Sequence, residues 1–274
     1  MQQVISLVFL LFTTSFSMQS KTSFDCKNYE KKIVKVKDHL YVSKYETSNS
    51  EFKEFLTELL KSNQASLYEN CLPDTLCWKD TPHSNEPYTE YYFQHPSFGD
   101  YPVVGITYEA ANEFCSWLTK EYNQAPKRKF KKVVFTLPSK EDWTFAANNG
   151  DTTKTYTWGK GLIHDSKKYD MCNYLAEGFS LDSSIKKNKK EKMISLKKFD
   201  YNNMYTTSVN SFFPNSFGIF NMCGNVAEMI AERGIAKGGS YLDPYNKVTI
   251  SSEKNYTKPT SDIGFRIAMK IIEE

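Results

Sequence analysis

The 274-residue chain carries a formal net charge of +3, and hydrophobic residues occupy 40% of its positions. A chain of this length and apolar content can bury a substantial core, so we expect one globular unit. Much of the basic excess lies in the run KKNKKEKMISLKK (186–198) rather than along an aromatic-lined groove. We interpret this run as a solvated loop, and the charge pattern argues against a nucleic-acid partner.

The first segment of the chain resembles an export signal. An apolar run from Val4 to Phe12 precedes small and polar residues, and it is too short to cross a bilayer as a helix. It lacks the usual preceding basic residue, and a buried N-terminal strand is the alternative. We predict a signal peptide over residues 1–20, a single domain over 21–274, and export to the periplasm, the outer membrane or the medium.

Six cysteines follow that segment: Cys26, Cys71, Cys77, Cys115, Cys172 and Cys223. An oxidising compartment would permit up to three disulfides. Only Cys71 and Cys77 are close in sequence, with a Pro-Asp turn between them. The sequence leaves open whether these two form a bridge or remain free.

Three helices can be predicted in chain order. Ser48 and Glu51 have capping-box spacing at the start of the first helix, whose apolar stripe is Phe52, Phe55, Leu56, Leu59 and Leu60. Thr107 is the expected N-cap of the second helix, whose stripe is Ala111, Phe114, Cys115, Leu118 and Tyr122. A third, short helix is expected from Ser139 to Gly150.

The remaining pattern consists of brief strands and long loops. Strand-like runs occur over 33–45, 133–137 and 264–272. Between residues 159 and 207, by contrast, neither the helical nor the strand period is sustained. Loops of this length are uncommon inside one domain unless ions or bridges hold them.

The stretch NMCGNVAEM (221–229) combines a flexible backbone with oxygen donors. Gly224 allows the carbonyls of Gly224 and Val226 to turn to one side, where Glu228 and Asn225 can add side-chain oxygens. Ca²⁺ is bound by such sets of carbonyl and carboxylate oxygens. The alternative is a Gly-Asn turn that leads into a strand, with Asn225 bonded to its own backbone.

Seven elements in order carry a resemblance to a known family. They are YETSNSEFKEFL (45–56), YPVVGITYEAANEFCSWL (101–118), TLPSKEDWTFAA (136–147), YTWG (156–159), NSFGIFNMCGNVAEM (215–229), KGGSY (237–241) and GFRIA (264–268). Together they resemble the formylglycine-generating enzyme family, also called the sulfatase-modifying factor family. The resemblance implies a single α+β domain of C-type-lectin-like topology, low in regular secondary structure and stabilised by calcium.

The resemblance also implies two sets of calcium ligands. The first set is the carbonyls of Cys223, Gly224 and Val226 with the carboxylate of Glu228. The second set is Asn173, the Tyr174 carbonyl and an acid near Asp200, where the alignment shifts by about one residue.

Enzymes of this family oxidise a substrate cysteine with a copper ion held by two thiolates between the GGS and GFR elements. Here that interval contains no cysteine, and Cu(I) selects thiolates. We therefore expect no copper and no catalytic residues. Sulfoxide synthases related to the family use clustered histidines, whereas His39, His83, His95 and His164 are dispersed.

Residues 73–108 bear a narrower resemblance to non-catalytic gliding-motility lipoproteins linked to type IX secretion. This chain lacks an obvious lipobox, since Cys26 follows Ser-Phe-Asp. We predict an exported, inactive, calcium-stabilised module that binds a protein partner or an extended peptide. The alternatives are an enzyme with another chemistry on the same scaffold and a lectin-like carbohydrate binder.

Overall fold

The computed structural model describes residues 24–81, 86–161, 170–175 and 205–274. Six α-helices are present in this part of the chain: α1 (Cys26–Lys31), α2 (Asn49–Lys61), α3 (Ala65–Cys71), α4 (Glu86–Tyr91), α5 (Tyr108–Gln124) and α6 (Lys140–Asn148). Three 3₁₀ turns lie at Thr75–Asp80, Pro96–Phe98 and Tyr245–Lys247. The predicted signal segment, the basic run 186–198, Asp200, His83 and His164 lie outside the described residues.

Helix α2 begins with the predicted capping box. The Ser48 hydroxyl accepts from the Glu51 N–H, and the Glu51 carboxylate accepts from the Ser48 N–H at 3.0 Å. Of the predicted apolar stripe, Leu60 is misplaced, because its side chain is 49% exposed. It lies one position beyond Leu59, on the edge of the buried face.

Helices α5 and α6 also begin at their predicted caps. Thr107 accepts from the Ala110 N–H at 3.0 Å, and Ser139 accepts from the Asp142 N–H at 3.1 Å. All five residues of the predicted α5 stripe are buried. Helix α6 ends at Asn148 and is capped by Asn149, whose left-handed φ of 54° terminates the helix one residue before the expected Gly150.

One sheet contains four antiparallel strands in the order β1-β2-β8-β3. These are β1 (Ile33–Lys37), β2 (Leu40–Ser43), β3 (Lys132–Thr136) and β8 (Ala268–Glu273). The strand-like run 33–45 is therefore a hairpin, with Val34 opposite Val42 and His39 at a φ of 58° in the turn. Val42 in turn pairs with Ala268, so the C-terminal strand lies inside this sheet.

A second sheet has the order β6-β5-β4-β7. Its strands have three residues each: β4 (Ala227–Met229), β5 (Ile235–Lys237), β6 (Glu253–Asn255) and β7 (Ile263–Phe265). Strands β4 and β7 are parallel, with Glu228 beside Gly264. The predicted strand over 264–272 is thus divided between two sheets, with Arg266 and Ile267 as the connection.

Aromatic contacts join the helices to the second sheet. Phe114 of α5 stacks on Phe52 of α2 with ring centroids 5.8 Å apart, and it meets Phe265 of β7 at 5.5 Å. A separate cluster around Trp143 of α6 packs on the first sheet through Val42. The residues between β7 and β8 consequently lie where these two cores meet.

All six cysteines are buried free thiols. The Cys71–Cys77 bridge that the turn permitted is absent, since Cys71 packs in the core with α2 and α5, whereas Cys77 packs with Trp78. Burial raises the pKa of Cys71 to about 11 and that of Cys77 to about 12. Thiols of this kind are poor nucleophiles and poor metal ligands.

Within the described ranges, no helix has the length and apolar character needed to cross a membrane.

Candidate functional site

The stretch that precedes β4 has the irregular backbone that its composition predicted. Asn221, Gly224 and Asn225 all have positive φ, at 54°, 80° and 65°. A Cβ on Gly224 would lie 2.2 Å from the carbonyl oxygen of Asn173, so only glycine fits. The Asn225 N–H donates to that same carbonyl at 2.8 Å, which brings the two predicted calcium-ligand sets together.

The Asn225 side chain links three segments of the chain. Its Oδ1 accepts from the Thr207 N–H at 2.7 Å, and its Nδ2 donates to Glu46 Oε1 at 2.8 Å. Asn173 Nδ2 approaches the same Oδ1 at 3.4 Å. The amide oxygen of Asn225 is therefore engaged by protein donors, and its side chain does not cap its own backbone.

Glu228 lies at the centre of a buried ion pair. Arg266 Nε donates to Glu228 Oε2 at 2.6 Å, and Arg266 Nη2 donates to Oε1. The Trp143 indole N–H donates to Oε2 at 2.6 Å. Glu228 and Arg266 are both fully buried, and such a fork-shaped pairing is the strong form of this interaction.

This geometry does not fit the predicted role of Glu228 as a charged calcium ligand. Three donors occupy its oxygens, and the Arg266 guanidinium neutralises its charge. A hard cation would lie beside that guanidinium and would have to displace it. Among the described residues, no group of three or more His, Cys, Asp and Glu side chains could hold a metal ion.

The second predicted set offers a better oxygen donor. Asn173 is fully buried, and its Nδ2 donates to the Tyr205 carbonyl at 2.9 Å, but its Oδ1 accepts no hydrogen bond from any described residue. A buried acceptor without a donor costs free energy unless water or a cation satisfies it. The chemistry of Asn173 therefore fits calcium, and the adjacent Tyr174 is also buried.

Glu46 is a buried acid that the sequence interpretation missed. It is fully buried just before the Ser48 cap, and the Asn225 and Asn221 amides donate to its two oxygens at 2.8 and 3.1 Å. Burial, opposed by Arg266 and reinforced by the Glu228 charge, raises the pKa of Glu46 to about 8. Glu46 could have been singled out from sequence because it lies inside the YETSNSEF element.

A second polar cluster lies in the interval between the GGS and GFR elements. Ser240 Oγ lies 2.6 Å from Asp243 Oδ2 and 2.9 Å from Asp262 Oδ2. Lys254 Nζ donates to Asp243 Oδ2 at 3.0 Å and also to Asp262. Two carboxylates, one ammonium and one hydroxyl thus bond mainly to one another, as a structural cluster does.

This cluster lacks the features of a nucleophile-and-base pair. Ser240 is buried and lies 3.5 Å from Lys254 Nζ. Burial disfavours the charged form of Lys254, but Asp262 and Asp243 outweigh burial, so the pKa of Lys254 is raised. A lysine that serves as a general base needs a lowered pKa, so Lys254 is not suited to activate Ser240.

The interval also lacks donors that could hold copper. Residues 238–265 contain neither cysteine nor histidine. Burial raises the pKa of the Cys223 thiol, just upstream, to about 12. The thiolates that a Cu(I) site requires are thus missing from the interval. The described histidines His39 and His95 belong to no cluster of three or more His, Cys, Asp and Glu side chains that could hold a metal ion.

Comparison with known proteins resolves the family. The model of the sulfatase-modifying factor enzyme 1-like domain matches residues 10–271. The chain belongs to this family. The α+β fold of C-type-lectin-like topology, predicted from the seven elements, is confirmed.

The curated relatives of this sulfatase-modifying-factor-like chain include active and inactive proteins. The formylglycine-generating enzyme of Mus musculus is 21% identical over 84% of this chain and 66% of its own length. The inactive Cα-formylglycine-generating enzyme 2 of Bos taurus is 22% identical over 82% of this chain and 75% of its own. The chain thus spans about two thirds of the mouse enzyme.

Two solved structures are similar to this chain at low identity. Treponema denticola variable protein 1 is 16% identical with a TM-score of 0.49, and the match covers 84% of each chain. CarF is 19% identical with a TM-score of 0.49, over 85% of this chain and 86% of CarF.

Replacement of Glu228 distinguishes a role in the ion pair from a role as a calcium ligand. Glu228→Ala leaves Arg266 buried without its partner, which costs roughly 3–5 kcal/mol. We expect the free energy of unfolding, measured in urea, to fall by the same amount in calcium and in chelator. The control Glu109→Ala, which breaks the exposed pair with Arg233, should cost less than about 1 kcal/mol. A loss seen only in calcium would contradict the ion-pair assignment.

Glu46 should make stability depend on pH. Its folded-state pKa is about 8 against an ordinary value of 4.5, so the folded state holds more protons between these values. Stability should then fall as pH rises through this window, by up to about 1.4 kcal/mol per pH unit. Urea unfolding of Glu46→Gln should show a flatter profile than wild type.

The exposed acid Glu141 provides the matched control for this profile. Its side chain is 90% exposed, so Glu141→Gln should reproduce the wild-type dependence on pH. Identical profiles for Glu46→Gln and wild type would refute the shifted pKa of Glu46.

Proposed function

We propose that this protein is a non-catalytic member of the sulfatase-modifying factor family that binds a protein partner or an extended peptide. The observation that carries the proposal is the interval between the GGS and GFR elements. It has no thiol or imidazole, and Ser240, Asp243, Lys254 and Asp262 bond to one another there. The scaffold of the family is retained without its redox ligands.

The buried network supports a structural role for the rest of the family motif. Glu228, Arg266 and Asn225 are held by protein groups on all sides. A relative named as an inactive formylglycine-generating enzyme shows that the family includes such proteins. An altered chemistry on this scaffold is the alternative, which the assay below would detect.

We further place the module outside the cytoplasm. The apolar run 4–12 supports this proposal, and the resemblance of residues 73–108 to gliding-motility lipoproteins supports association with the outer membrane. In that setting the protein serves as a structural component of a larger assembly.

Calcium is proposed at Asn173 rather than at Glu228. The support is the buried Asn173 Oδ1, which accepts no hydrogen bond from a described residue. The Tyr174 carbonyl and an acid near Asp200 complete the expected ligand set. A bound cation would hold the 170–175 segment against Gly224, where Cys172 and Asn173 crowd the backbone.

Lack of formylglycine formation can be tested directly. Purified protein supplied with Cu(I) and oxygen should convert no cysteine in a sulfatase-derived peptide, as read by mass spectrometry and an aldehyde-reactive hydrazide. The formylglycine-generating enzyme of Streptomyces coelicolor provides the positive control in the same reaction. Turnover by this protein, or stoichiometric copper after desalting, would establish an enzyme instead.

Calcium at Asn173 predicts a ligand-dependent melting temperature. Calcium at a concentration of about 100 times the Kd of the site adds about 2.7 kcal/mol to the free energy of unfolding. Asn173→Ala should lose this gain. Asn221→Ala is the matched control, since Asn221 also has a buried, unpaired Oδ1 but is not a predicted ligand. Equal calcium gains in both variants would refute the assignment.

A further inference from the structure

A cleft of about 580 Å³ lies between α1, α2 and α5. Its volume falls in the range of small-ligand sites. Its lining includes no residue of the Glu228 network and none of the interval between GGS and GFR. Part of the lining comes from the family elements 45–56 and 101–118, but the cleft lies apart from the calcium-ligand sets and the copper interval that the resemblance implies.

Aromatic and apolar side chains line the base of the cleft. Trp117 of α5 packs against Phe114 with ring centroids 5.4 Å apart, and Tyr29 of α1 packs against Phe24 at 5.6 Å. Phe114 is buried, whereas Trp117 and Tyr29 are partly exposed. Partly exposed Trp and Tyr rings are favoured contacts for organic cations.

Acidic side chains outnumber lysines around this base. The acids are Asp25, Glu51, Glu54, Glu58 and Glu121, and the lysines are Lys32, Lys53 and Lys61. Two of the lysines are neutralised within the rim, since Lys32 pairs with Glu51 at 2.8 Å and Lys61 with Glu58 at 2.6 Å.

The third lysine contacts residues outside the cleft. Lys53 Nζ donates to the Gln94 carbonyl at 3.1 Å and lies 5.1 Å above the Phe93 ring. Neither Gln94 nor Phe93 lines the cleft. Lys53 is thus not paired with an acid of the rim.

Three carboxylates of the lining remain without a cation in the described ranges: Asp25, which accepts from the Asn28 N–H at the start of α1, and two others. Glu54 of α2 and Glu121 of α5 have no ion-pair partner in the described ranges. Burial and the neighbouring Glu51 raise the pKa of Glu54, and Lys32 only partly offsets them. A positive group in the cleft would relieve this excess of negative charge.

The Trp117 indole supplies a second requirement. Its Nε1 is buried and has no hydrogen-bond partner among the described residues. A buried N–H without an acceptor costs free energy. A ligand that combines a cation with a carbonyl oxygen would pair with the unpaired acids, and it would satisfy Trp117 once the indole turns its buried Nε1 toward the cleft.

We propose that this cleft binds a lysine- or arginine-bearing peptide segment of a protein partner. The cationic side chain pairs with Glu54 and Glu121 above the aromatic base, and a backbone carbonyl accepts from Trp117. The inference rests on the binding role proposed above and names the chemistry of the partner. This proposal is tested by peptide affinity, whereas the absence of catalysis is tested by the cysteine-oxidation assay. The failure of one can therefore be distinguished from the failure of the other.

The experiment is calorimetric titration of the full chain with acetyl-Lys-Lys-Lys-amide at low salt. Glu54→Gln/Glu121→Gln should weaken binding by about tenfold or more, because two unscreened charges are lost. Glu69→Gln/Glu113→Gln changes net charge equally on α3 and α5 outside the lining, and should leave affinity within about twofold. Equal weakening by both pairs would overturn the site.

A titration with spermidine distinguishes a peptide ligand from a simple cation, because spermidine has no carbonyl group. Trp117→Phe should weaken peptide binding by about threefold and leave spermidine binding unchanged. Equal affinity for both ligands with no effect of Trp117→Phe would overturn the peptide assignment.

The basic run 186–198 of this chain is the competing occupant. A variant with Lys186, Lys187, Lys189 and Lys190 replaced by Gln tests it. Peptide binding by this variant but not by wild type would show that the chain fills its own cleft, and would overturn the assignment to a partner. Equal binding by both proteins supports it.

Discussion

The buried pair between Arg266 and Glu228 is the interaction on which the rest of the structure depends. Arg266 joins the last strands of the two sheets, and besides Glu228 its guanidinium reaches the Ser43 carbonyl after β2 at 3.1 Å and the Phe220 carbonyl at 2.8 Å. One side chain therefore ties both sheets to the irregular stretch before β4. Burying a charge is tolerable only when such a full set of partners is present.

The Arg266–Glu228 pair helps to stabilise a region with little regular secondary structure. Strands β4 and β7 have three residues each, too few for the sheet alone to fix their position. The loops around them are held by side-chain amides, chiefly Asn225, which connects Glu46, Thr207 and Asn173. Polar networks of this kind are stable when every member is satisfied, and among the described residues of this network Asn173 Oδ1 and Asn221 Oδ1 are the unsatisfied exceptions.

The same network changes the meaning of the family motif. Glu228 and Asn225, which the sequence suggested as metal ligands, are engaged by protein groups. Among the described acids, Glu46 has a pKa raised to about 8. In the interval where family enzymes hold copper, Ser240 and Lys254 form a closed polar cluster. The binding site that we propose is instead the cleft at α2 and α5, where Glu54 and Glu121 have no ion-pair partner among the described residues.

Helix caps and buried stripes were predictable because they depend on neighbours within four residues. Ser48, Thr107 and Ser139 cap helices as expected, and the order of seven short elements determined the family and its α+β fold. The position of Leu60, the division of 264–272 between two sheets and the partner of Glu228 were decided only in three dimensions. Glu228 meets Arg266 across 38 residues, and Asn225 meets Glu46 across 179. Charge pairing and burial at such separations follow from chain packing, and no local spacing records them.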